Sequence, residues 1–418
     1  MNIRDEMAII GDKAAAAAVA MARLSSEQRR NGLLSMADRL EERKSRIAAA
    51  NAADMEAGEK SGLPPAMLDR LLLNEQRIKA MISGLRTVAA LPDPVGTDIK
   101  QWTRPNGLLI IKRRVPIGVI AIIYESRPNV TADAAALCLR TANAVILRGG
   151  KEAIRSNIAI AEAMSEGGAE AGLPADAIQI VRSTDHEAVK QLVRLEGKVD
   201  LVIPRGGEAL IRSVTEHARV PVIKHYRGVC HVYVDESADL EMAMKICENA
   251  KCQRPGVCNA METLLVHARI AEAFLPPMAA RYQELGVELR GCSETCRIVP
   301  KIKAATEDDW YAEYLALILA VRVVPSIHDA VEHIRKYGSK HSDAIVASSR
   351  EAQEFFVSEV DSAAVYVNAS TRFTDGNEFG MGAEIGISTD KIHARGPMGL
   401  EELTSYKYVV IGNGQVRS

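Results

Sequence analysis

The chain has 418 residues, of which 47% are apolar and 25% charged, a composition typical of a globular protein with two or three domains. Its net charge of -2 and aromatic content of 4% offer little for binding a nucleic-acid backbone or stacking on bases, so we predict no nucleic-acid partner. The 7 cysteines form no C-x-x-C pair, and no apolar run approaches the roughly 18 residues of a membrane span, so we expect a reduced, cytoplasmic protein without metal or membrane.

The N-terminal part of the chain shows apolar side chains at helical spacing, as at Leu33 and Met36. This pattern predicts a layer of helices. Residues 99–114 then form two strand-like arms around Asn106-Gly107, a dipeptide suited to the positive φ of a tight turn. We predict a projecting β-hairpin there.

Short apolar strands and helical patterns alternate from residue 116 onward. Strands that are apolar throughout are typical of sheets covered on both faces, so the pattern predicts a doubly wound parallel sheet. The predicted strands are 119–123, 145–147, 178–181, 201–203 and 220–223, and the predicted helices between them are 131–141, 153–166, 185–195 and 207–218.

A second α/β set begins with a strand at 229–234 and includes a strand at 317–324 and a helix at 326–337. A glycine-rich irregular stretch, 368–397, precedes a last strand at 405–411. The expected division is a first domain of residues 1–98 and 115–228, a second of 229–397, and a small β module of 99–114 with 398–418.

The segment Gln253–Asn259 places Cys258 in a loop bounded by proline and glycine, with Arg254 just upstream. A reactive thiol needs this kind of setting, because cationic neighbours and backbone amides favour the nucleophilic thiolate. The other cysteines lack it. The alternative is a small buried hydrophobic side chain, which is the usual role of a free cysteine.

Two glycine pairs follow strands of the first predicted sheet and open helices. Glycine allows close approach of a ligand, and helix N-terminal amides favour phosphate, so the pairs indicate a nucleotide site; ordinary β-to-α turns are the alternative. The G-x-G-x-x-G pattern of a standard dinucleotide turn is absent between residues 119 and 131. The two runs are Arg148-Gly149-Gly150-Lys151 and Arg205-Gly206-Gly207.

The order of hairpin, doubly wound sheet, cysteine loop and terminal strand resembles the aldehyde dehydrogenase superfamily. The resemblance implies an α/β fold with a cofactor domain, a second catalytic domain and a small β oligomerisation module. It spans almost the whole chain and points to the branch that reduces glutamyl phosphate. The segments that carry it are Glu125–Thr131, Gln253–Asn259, Asn368–Gly376 and His393–Gly399.

The resemblance implies roles for individual residues. Cys258 matches the nucleophile, Asn129 the amide that holds the developing oxyanion, and Glu313 the carboxylate that holds the nicotinamide ribose. The alternatives are a turn residue for Asn129 and a solvated charge for Glu313. The glycine turns would bind the cofactor, with Arg148 and Lys151 replacing the lysine and carboxylate of NAD-using relatives.

The cofactor predicted from that replacement is NADP, used as NADPH. An ammonium at Lys151 suits a 2′-phosphate, whereas a carboxylate suits a 2′-hydroxyl. Alternatively, Lys151 is a solvated charge at a helix start. Residues 224–228 also lack the Glu-Leu-Gly-Gly stretch whose glutamate hydrolyses the thioester in oxidising relatives. His225 stands there instead, as a base, a phosphate ligand or a structural residue.

The implied activity is NADPH-dependent reduction of L-glutamyl 5-phosphate to L-glutamate 5-semialdehyde through a cysteine thioester, with release of phosphate, in proline biosynthesis. Arginines suit the phosphate and carboxylate of such a substrate, although each could instead be a structural loop clamp. The candidates, all in loops that carry the resemblance, are Arg127, Arg254, Arg372 and Arg395.

Two other functions stay open from the sequence. An aldehyde-oxidising dehydrogenase of the same fold would act without phosphate, and a nucleotide-binding scaffold would have lost its chemistry. The absent glutamate counts against the first, and Cys258 with Asn129 against the second. We expect a homo-oligomer built through residues 99–114 and 405–411, and a possible contact with the kinase that makes the labile acyl phosphate.

Overall fold

The computed structural model describes residues 2–417, which divide into two compact units. The first contains the chain up to Lys224, residues 380–386, and the C-terminal part from Met398. The second contains His225–Phe379 and Ile387–Pro397. The hairpin and the last strand cluster with the first unit, and their role as a separate module stays a prediction.

The predicted helical layer is confirmed. Asn2 and Ser25 cap the first two helices, and Ser25 forms a capping box with Gln28. Their apolar faces are buried, with Met7 and Leu33 fully enclosed. The helices are α1 (Ile3–Met21), α2 (Ser26–Glu42), α3 (Lys44–Lys60), α4 (Pro65–Leu71) and α5 (Glu75–Ala90).

The predicted hairpin is also confirmed. Strands β1 (Asp98–Thr103) and β2 (Leu109–Pro116) pair in antiparallel orientation. Gly107 in the connecting turn has a backbone φ of +86°, a conformation that residues with a Cβ atom rarely adopt.

A four-stranded parallel sheet of order β5-β4-β3-β6 forms the centre of the first unit. The predicted fifth strand, 220–223, is wrong: it contributes one bridge, from Val222 to Val202. Pro221 has no N–H to donate, which limits the pairing. The elements are β3 (Val119–Tyr124), α6 (Val130–Arg140), β4 (Ala144–Arg148), α7 (Ile154–Glu170), β5 (Ile178–Ile180), α8 (His186–Leu192), β6 (Leu201–Arg205) and α9 (Glu208–His217).

A seven-stranded parallel sheet forms the centre of the second unit, in the order β10-β9-β11-β8-β7-β12-β13. Its central strands are almost fully buried. The elements are β7 (Cys230–Val234), α10 (Leu240–Cys252), β8 (Met261–His267), α11 (Ala268–Glu284), β9 (Glu288–Gly291), α12 (Ser293–Ile298), β10 (Lys303–Ala304), α13 (Glu307–Trp310), β11 (Ile318–Val324), α14 (Ile327–Tyr337), β12 (Ser342–Val346), α15 (Arg350–Glu359) and β13 (Ala364–Val367).

The C-terminal region after β13 is largely irregular, as predicted. It contains two short paired strands, β14 (Ile387–Ser388) and β15 (Gly396–Pro397). The last strand, β16 (Thr404–Ile411), pairs with β2 along its whole length, which completes a three-stranded sheet of order β1-β2-β16. Among the described residues, no helix combines the length and apolarity needed to cross a bilayer.

Candidate active site around Cys258

The loop that carries Cys258 joins α10 to β8 and is pinned by its neighbour Asn259. The buried Asn259 amide donates to the Thr374 carbonyl at 2.8 Å, and the Thr371 hydroxyl donates to the Asn259 carbonyl at 2.7 Å. Cys258 itself is half-buried. The loop therefore holds the thiol in a fixed place without enclosing it fully.

The backbone of Cys258 lies against a second segment, at Gly228. A Cβ built on Gly228 would lie 1.9 Å from the Cys258 carbonyl oxygen, so only glycine fits there. The Cys230 thiol donates to the same carbonyl at 3.2 Å. The Gly228 N–H donates to Glu313 at 2.8 Å, so the predicted ribose ligand also holds the segment that touches the cysteine loop.

A buried ion pair connects the two ends of the cysteine loop. Lys251, at the end of α10, donates to Glu262 in β8, and both side chains are 0% exposed. The other Glu262 oxygen accepts from the Leu315 N–H at 3.1 Å. Burial raises the pKa of Glu262 to about 7 against the opposing effect of Lys251, and burial lowers the pKa of Lys251.

Two histidines lie beside Cys258, the predicted nucleophile. One ligand atom each from His225, Cys258 and His341 lies within 4.8 Å of the other two. His341 is fully buried; its Nδ1 contacts the Ser342 hydroxyl at 2.9 Å and the Cys230 sulfur at 3.8 Å. Burial, with a smaller effect of His225, lowers the pKa of His341 to about 3. The structure thus places His225 beside Cys258 and adds His341, which no local sequence signal indicates.

Two of the predicted anion-binding arginines belong to this region. Arg372 donates through Nε to Gln253 at 2.9 Å and through Nη1 to Asn259, so it braces the cysteine loop. Desolvation and the nearby charge of Arg254 lower the pKa of Arg372. Arg254 itself is exposed. An exposed guanidinium close to a half-buried one is suited to an anionic ligand.

The other two arginines differ in setting. Arg395 forms an ion pair with Asp361 at 2.9 Å and donates to the Asp361 carbonyl, while its buried Nε has no hydrogen-bond partner among the described residues. Hydrogen bonds from Lys391 and then Arg395 lower the pKa of Asp361 to about 2. Arg127, in the first unit, is exposed in the turn before α6.

The first glycine pair follows β4. Arg148 is buried, donates to the carbonyls of Gly149 and Thr184 at 3.1 and 3.2 Å, and keeps a buried Nε without a partner among the described residues. Desolvation lowers its pKa. Lys151 is exposed at the start of the following 3₁₀ turn.

Side chains of the protein itself lie close to both glycines of this pair. A Cβ on Gly149 would lie 2.0 Å from the Asn157 amide nitrogen, and one on Gly150 would lie 2.1 Å from the Glu152 carboxylate. The Glu152 carboxylate in turn accepts from the Ser126 N–H at 2.6 Å. A side chain at position 149 would displace Asn157, and one at position 150 would displace the Glu152 carboxylate.

The second glycine pair, Gly206-Gly207, precedes α9. The Gly207 N–H donates to Glu125 at 2.9 Å, and a Cβ on Gly206 would lie 2.3 Å from the same carboxylate. A carboxylate of the protein thus already contacts an amide at this helix N-terminus. Glu125 is exposed and was not predicted as a site residue, although it opens the Glu125–Thr131 segment.

Asn129 immediately precedes α6, and its side chain does not cap the helix. The amide donates to Asp133 at 2.9 Å. Burial raises the pKa of Asp133 to about 6, although the Asn129 hydrogen bond and the charge of Arg205 oppose the increase. Asp133 is a further residue that the sequence pattern did not indicate, because acidic side chains are common in the first turn of a helix.

Comparison with known proteins gives consistent results. The sequence profile of the aldehyde dehydrogenase family matches residues 4–310. A γ-glutamyl phosphate reductase of Moorella thermoacetica is 58% identical over 417 residues and covers 100% of both chains. The crystal structure of γ-glutamyl phosphate reductase from Thermotoga maritima has a TM-score of 0.97 at 47% identity, with 99% of this chain and 100% of that chain covered.

A more distant structure shows the fold alone. An acetylating aldehyde dehydrogenase from Geobacillus thermoglucosidasius has a TM-score of 0.69 at 17% identity, with 100% of this chain and 98% of that chain covered. The predicted aldehyde dehydrogenase-like α/β fold is confirmed by these similarities.

Proposed function

This chain belongs to the aldehyde dehydrogenase family and, within it, to the γ-glutamyl phosphate reductases, and we propose that it reduces L-glutamyl 5-phosphate to L-glutamate 5-semialdehyde with release of phosphate. The reaction is a step of proline biosynthesis. The single observation that carries the proposal is the 58% identity to a reductase of that name over the full length of both chains.

The covalent step belongs to Cys258. Its thiolate forms a bond to the acyl carbon, the bond from that carbon to the phosphate oxygen breaks, and phosphate leaves with the electron pair. A thioester on Cys258 remains. Phosphate is a good leaving group at neutral pH, so this step needs little general-acid help. Asn129 is the proposed side-chain donor to the developing oxyanion.

The proposed cofactor is NADPH, which when bound supplies the hydride that reduces the thioester. The first glycine turn fits such a group in two respects: Arg148 has a buried Nε without a partner among the described residues, and the Lys151 ammonium is exposed beside it in the chain. We assign Arg148, Lys151 and the two glycine pairs to the cofactor, with Glu313 for its ribose. Lys151 in place of a carboxylate supports a 2′-phosphate.

The chain is suited to reduction because a water-activating glutamate is missing. Residues 224–228 read Lys-His-Tyr-Arg-Gly, with no carboxylate among them. A base that activated water would hydrolyse the thioester before reduction. Arg254 and Arg372 are the best supported ligands for the substrate anions, because Arg254 lies in the Cys258 loop and Arg372 donates to Gln253 of that loop.

We further propose that the protein works in the cytoplasm and receives its labile acyl phosphate from the kinase that makes it. Acyl phosphates hydrolyse in water, so a short transfer distance favours the reaction. The instability of the acyl phosphate in water is the reason to expect this partner. A direct binding measurement between the two purified proteins tests it.

The reverse reaction tests the function. Glutamate semialdehyde and NADP should yield NADPH only when inorganic phosphate is present, because phosphate must cleave the thioester. The Cys258→Ser variant should lose about a thousandfold or more of this activity. Oxidation at an equal rate without phosphate would identify an aldehyde-oxidising dehydrogenase instead, and full activity of Cys258→Ser would exclude covalent catalysis.

A further inference from the structure

The cluster formed by Cys258, His225 and His341 has the composition of a zinc site. A thiolate and two imidazoles are soft to borderline ligands, and catalytic zinc ions are commonly held by three protein ligands. The three ligand atoms lie within 4.8 Å of one another, a separation that small side-chain rotations can convert into coordination of one central ion. Within residues 2–417, no other three His, Cys, Asp or Glu side chains bring their ligand atoms this close together.

A second observation points to a ligand at the same place. His341 is 0% exposed, and its Nε2 has no hydrogen-bond partner among the described residues. A buried polar atom left unpaired costs free energy of about 1–3 kcal/mol. The other ring nitrogen, Nδ1, contacts Ser342 and Cys230. These contacts orient the ring, just as a hydrogen bond to the second ring nitrogen orients a metal-binding histidine.

We propose that Cys258, His225 and His341 bind a single Zn²⁺ ion and that the bound ion reversibly blocks the Cys258 nucleophile. On binding, the thiol releases its proton to the solvent and the sulfur and two imidazole nitrogens donate electron pairs to the metal, so nothing is oxidised or reduced. The block on catalysis rests on the proposed function, whereas the metal site does not.

The site would act on the reductase as a zinc-dependent switch. A metal-bound sulfur cannot attack an acyl phosphate, and an acylated sulfur is a poor metal ligand, so zinc and substrate should exclude each other. Zinc should also protect Cys258 from alkylation. Two further cysteines, Cys292 and Cys296, belong to no group of three such ligand atoms among the described residues.

Metal binding is measured directly on the full-length, reduced protein after treatment with chelator. Titration with Zn²⁺ followed by desalting and elemental analysis should give about one ion per chain. Co²⁺ in place of Zn²⁺ should produce a thiolate-to-cobalt charge-transfer band. His341→Gln, His225→Gln and Cys258→Ser should each weaken binding at least about tenfold, and Cys258→Ser should abolish the band.

The control is the double variant Cys292→Ser/Cys296→Ser, which should keep both stoichiometry and spectrum. If binding disappears in this control, or persists unchanged in Cys258→Ser and His225→Gln, the proposal is overturned. Circular dichroism and thermal melts establish that each variant is folded; should His341→Gln fail to fold, His225→Gln and Cys258→Ser decide the outcome.

The two proposals fail in different ways. Absence of zinc binding with intact phosphate-dependent activity would remove the metal site and leave the reductase. Zinc binding at Cys258 without phosphate-dependent activity would remove the reductase and leave the site. In wild-type protein, zinc should slow alkylation of Cys258 and inhibit turnover at the same concentration, and added chelator should reverse both effects.

Discussion

Individual residues of this chain show a clear difference between what local sequence indicates and what folding creates. Cys258 can be recognised from its Pro/Gly-bounded loop and Arg254. Its neighbours His225 and His341 come from distant segments, and only the fold of the second unit brings their ligand atoms within 4.8 Å. No spacing rule predicts such a cluster.

We expect the cofactor preference to depend on Lys151. The Lys151→Glu variant should lower the ratio of kcat/KM for NADPH over that for NADH by about ten- to a hundredfold, because a charge-assisted contact with the 2′-phosphate becomes repulsive. Steady-state kinetics with both cofactors measure the ratio. The control Lys60→Glu reverses an exposed charge on α3 and should leave the ratio unchanged. An unchanged ratio in Lys151→Glu would refute the assignment.

Asp133 is expected to orient Asn129. Its carboxylate accepts from the Asn129 amide, and its pKa is raised to about 6, so the ionised acceptor is lost as the pH falls through about 6. The wild-type kcat should therefore decline below that pH. Asp133→Ala should lower kcat about ten- to a hundredfold with little change in KM, because the amide loses its position, and should remove this pH dependence. An unaltered pH profile in the variant would show that Asp133 has no such role.

At the scale of elements, the parallel sheets could be predicted from apolar strands, and the failures have physical causes. Residues 220–223 look like a strand, but Pro221 prevents regular pairing. Strand β12 begins with buried polar residues, Ser342 and Asp343, which a sequence pattern does not distinguish from a loop. They are tolerated because the Asp343 carboxylate accepts from the backbone N–H of His231 and contacts its ring Nδ1, while the Ser342 hydroxyl forms a hydrogen bond with the Thr374 hydroxyl.

The ion pair at the ends of the cysteine loop gives a stability prediction. Lys251→Met should destabilise the protein by about 3–5 kcal/mol, because Glu262 would stay buried without its ion-pair partner. The double variant Lys251→Met/Glu262→Met should recover much of that loss. Urea unfolding measures both. Additive losses in the double variant would mean that the pair does not interact as the structure indicates.

The short helix α13 gives a prediction about acid stability. Burial alone would raise the pKa of Asp309, but the Thr306 N–H, Arg290 and the Tyr314 hydroxyl bring it from 3.8 to about 2. The pKa is depressed in the folded state, so the stabilisation is fully present above pH 3.8 and is lost as the pH falls toward 2.

The Asp309→Asn variant should therefore be less stable than wild type by about 2 kcal/mol at neutral pH. The difference should shrink between about pH 4 and pH 2, as the wild-type carboxylate takes up its proton. Urea unfolding at a series of pH values follows it. A difference that stays constant over that range would assign the loss to shape and not to charge.

At the scale of the whole molecule, the sheet of β1, β2 and β16 presents exposed aromatic and apolar side chains to solvent, interspersed with basic ones such as Lys112, which lies over the Tyr406 ring. Tyr406, Tyr408 and Val410 alternate along β16 and are about half exposed, and the Trp102 ring lies 6.3 Å from that of Tyr408. Exposed aromatic groups on an edge strand mark an interaction surface. The proposed occupant is a second copy of this chain, as the sequence also led us to expect.

Charges on that face should break the assembly. Tyr408→Glu/Val410→Glu should convert the oligomer into folded monomers, as measured by light scattering coupled to size-exclusion chromatography. The control Lys407→Glu changes a neighbouring residue that points to the opposite face of the same strand and should leave the mass unchanged. An oligomer of unaltered mass in the double variant would place the interface elsewhere.

The contact between Gly228 and the Cys258 carbonyl restricts how this enzyme can be re-engineered or can diverge. With no room for even a methyl group at position 228, selection from a randomised library there should return the parental residue alone. A variant that accepts a wider range of acyl donors must therefore carry its changes in the surrounding loops, because no residue other than glycine fits at position 228.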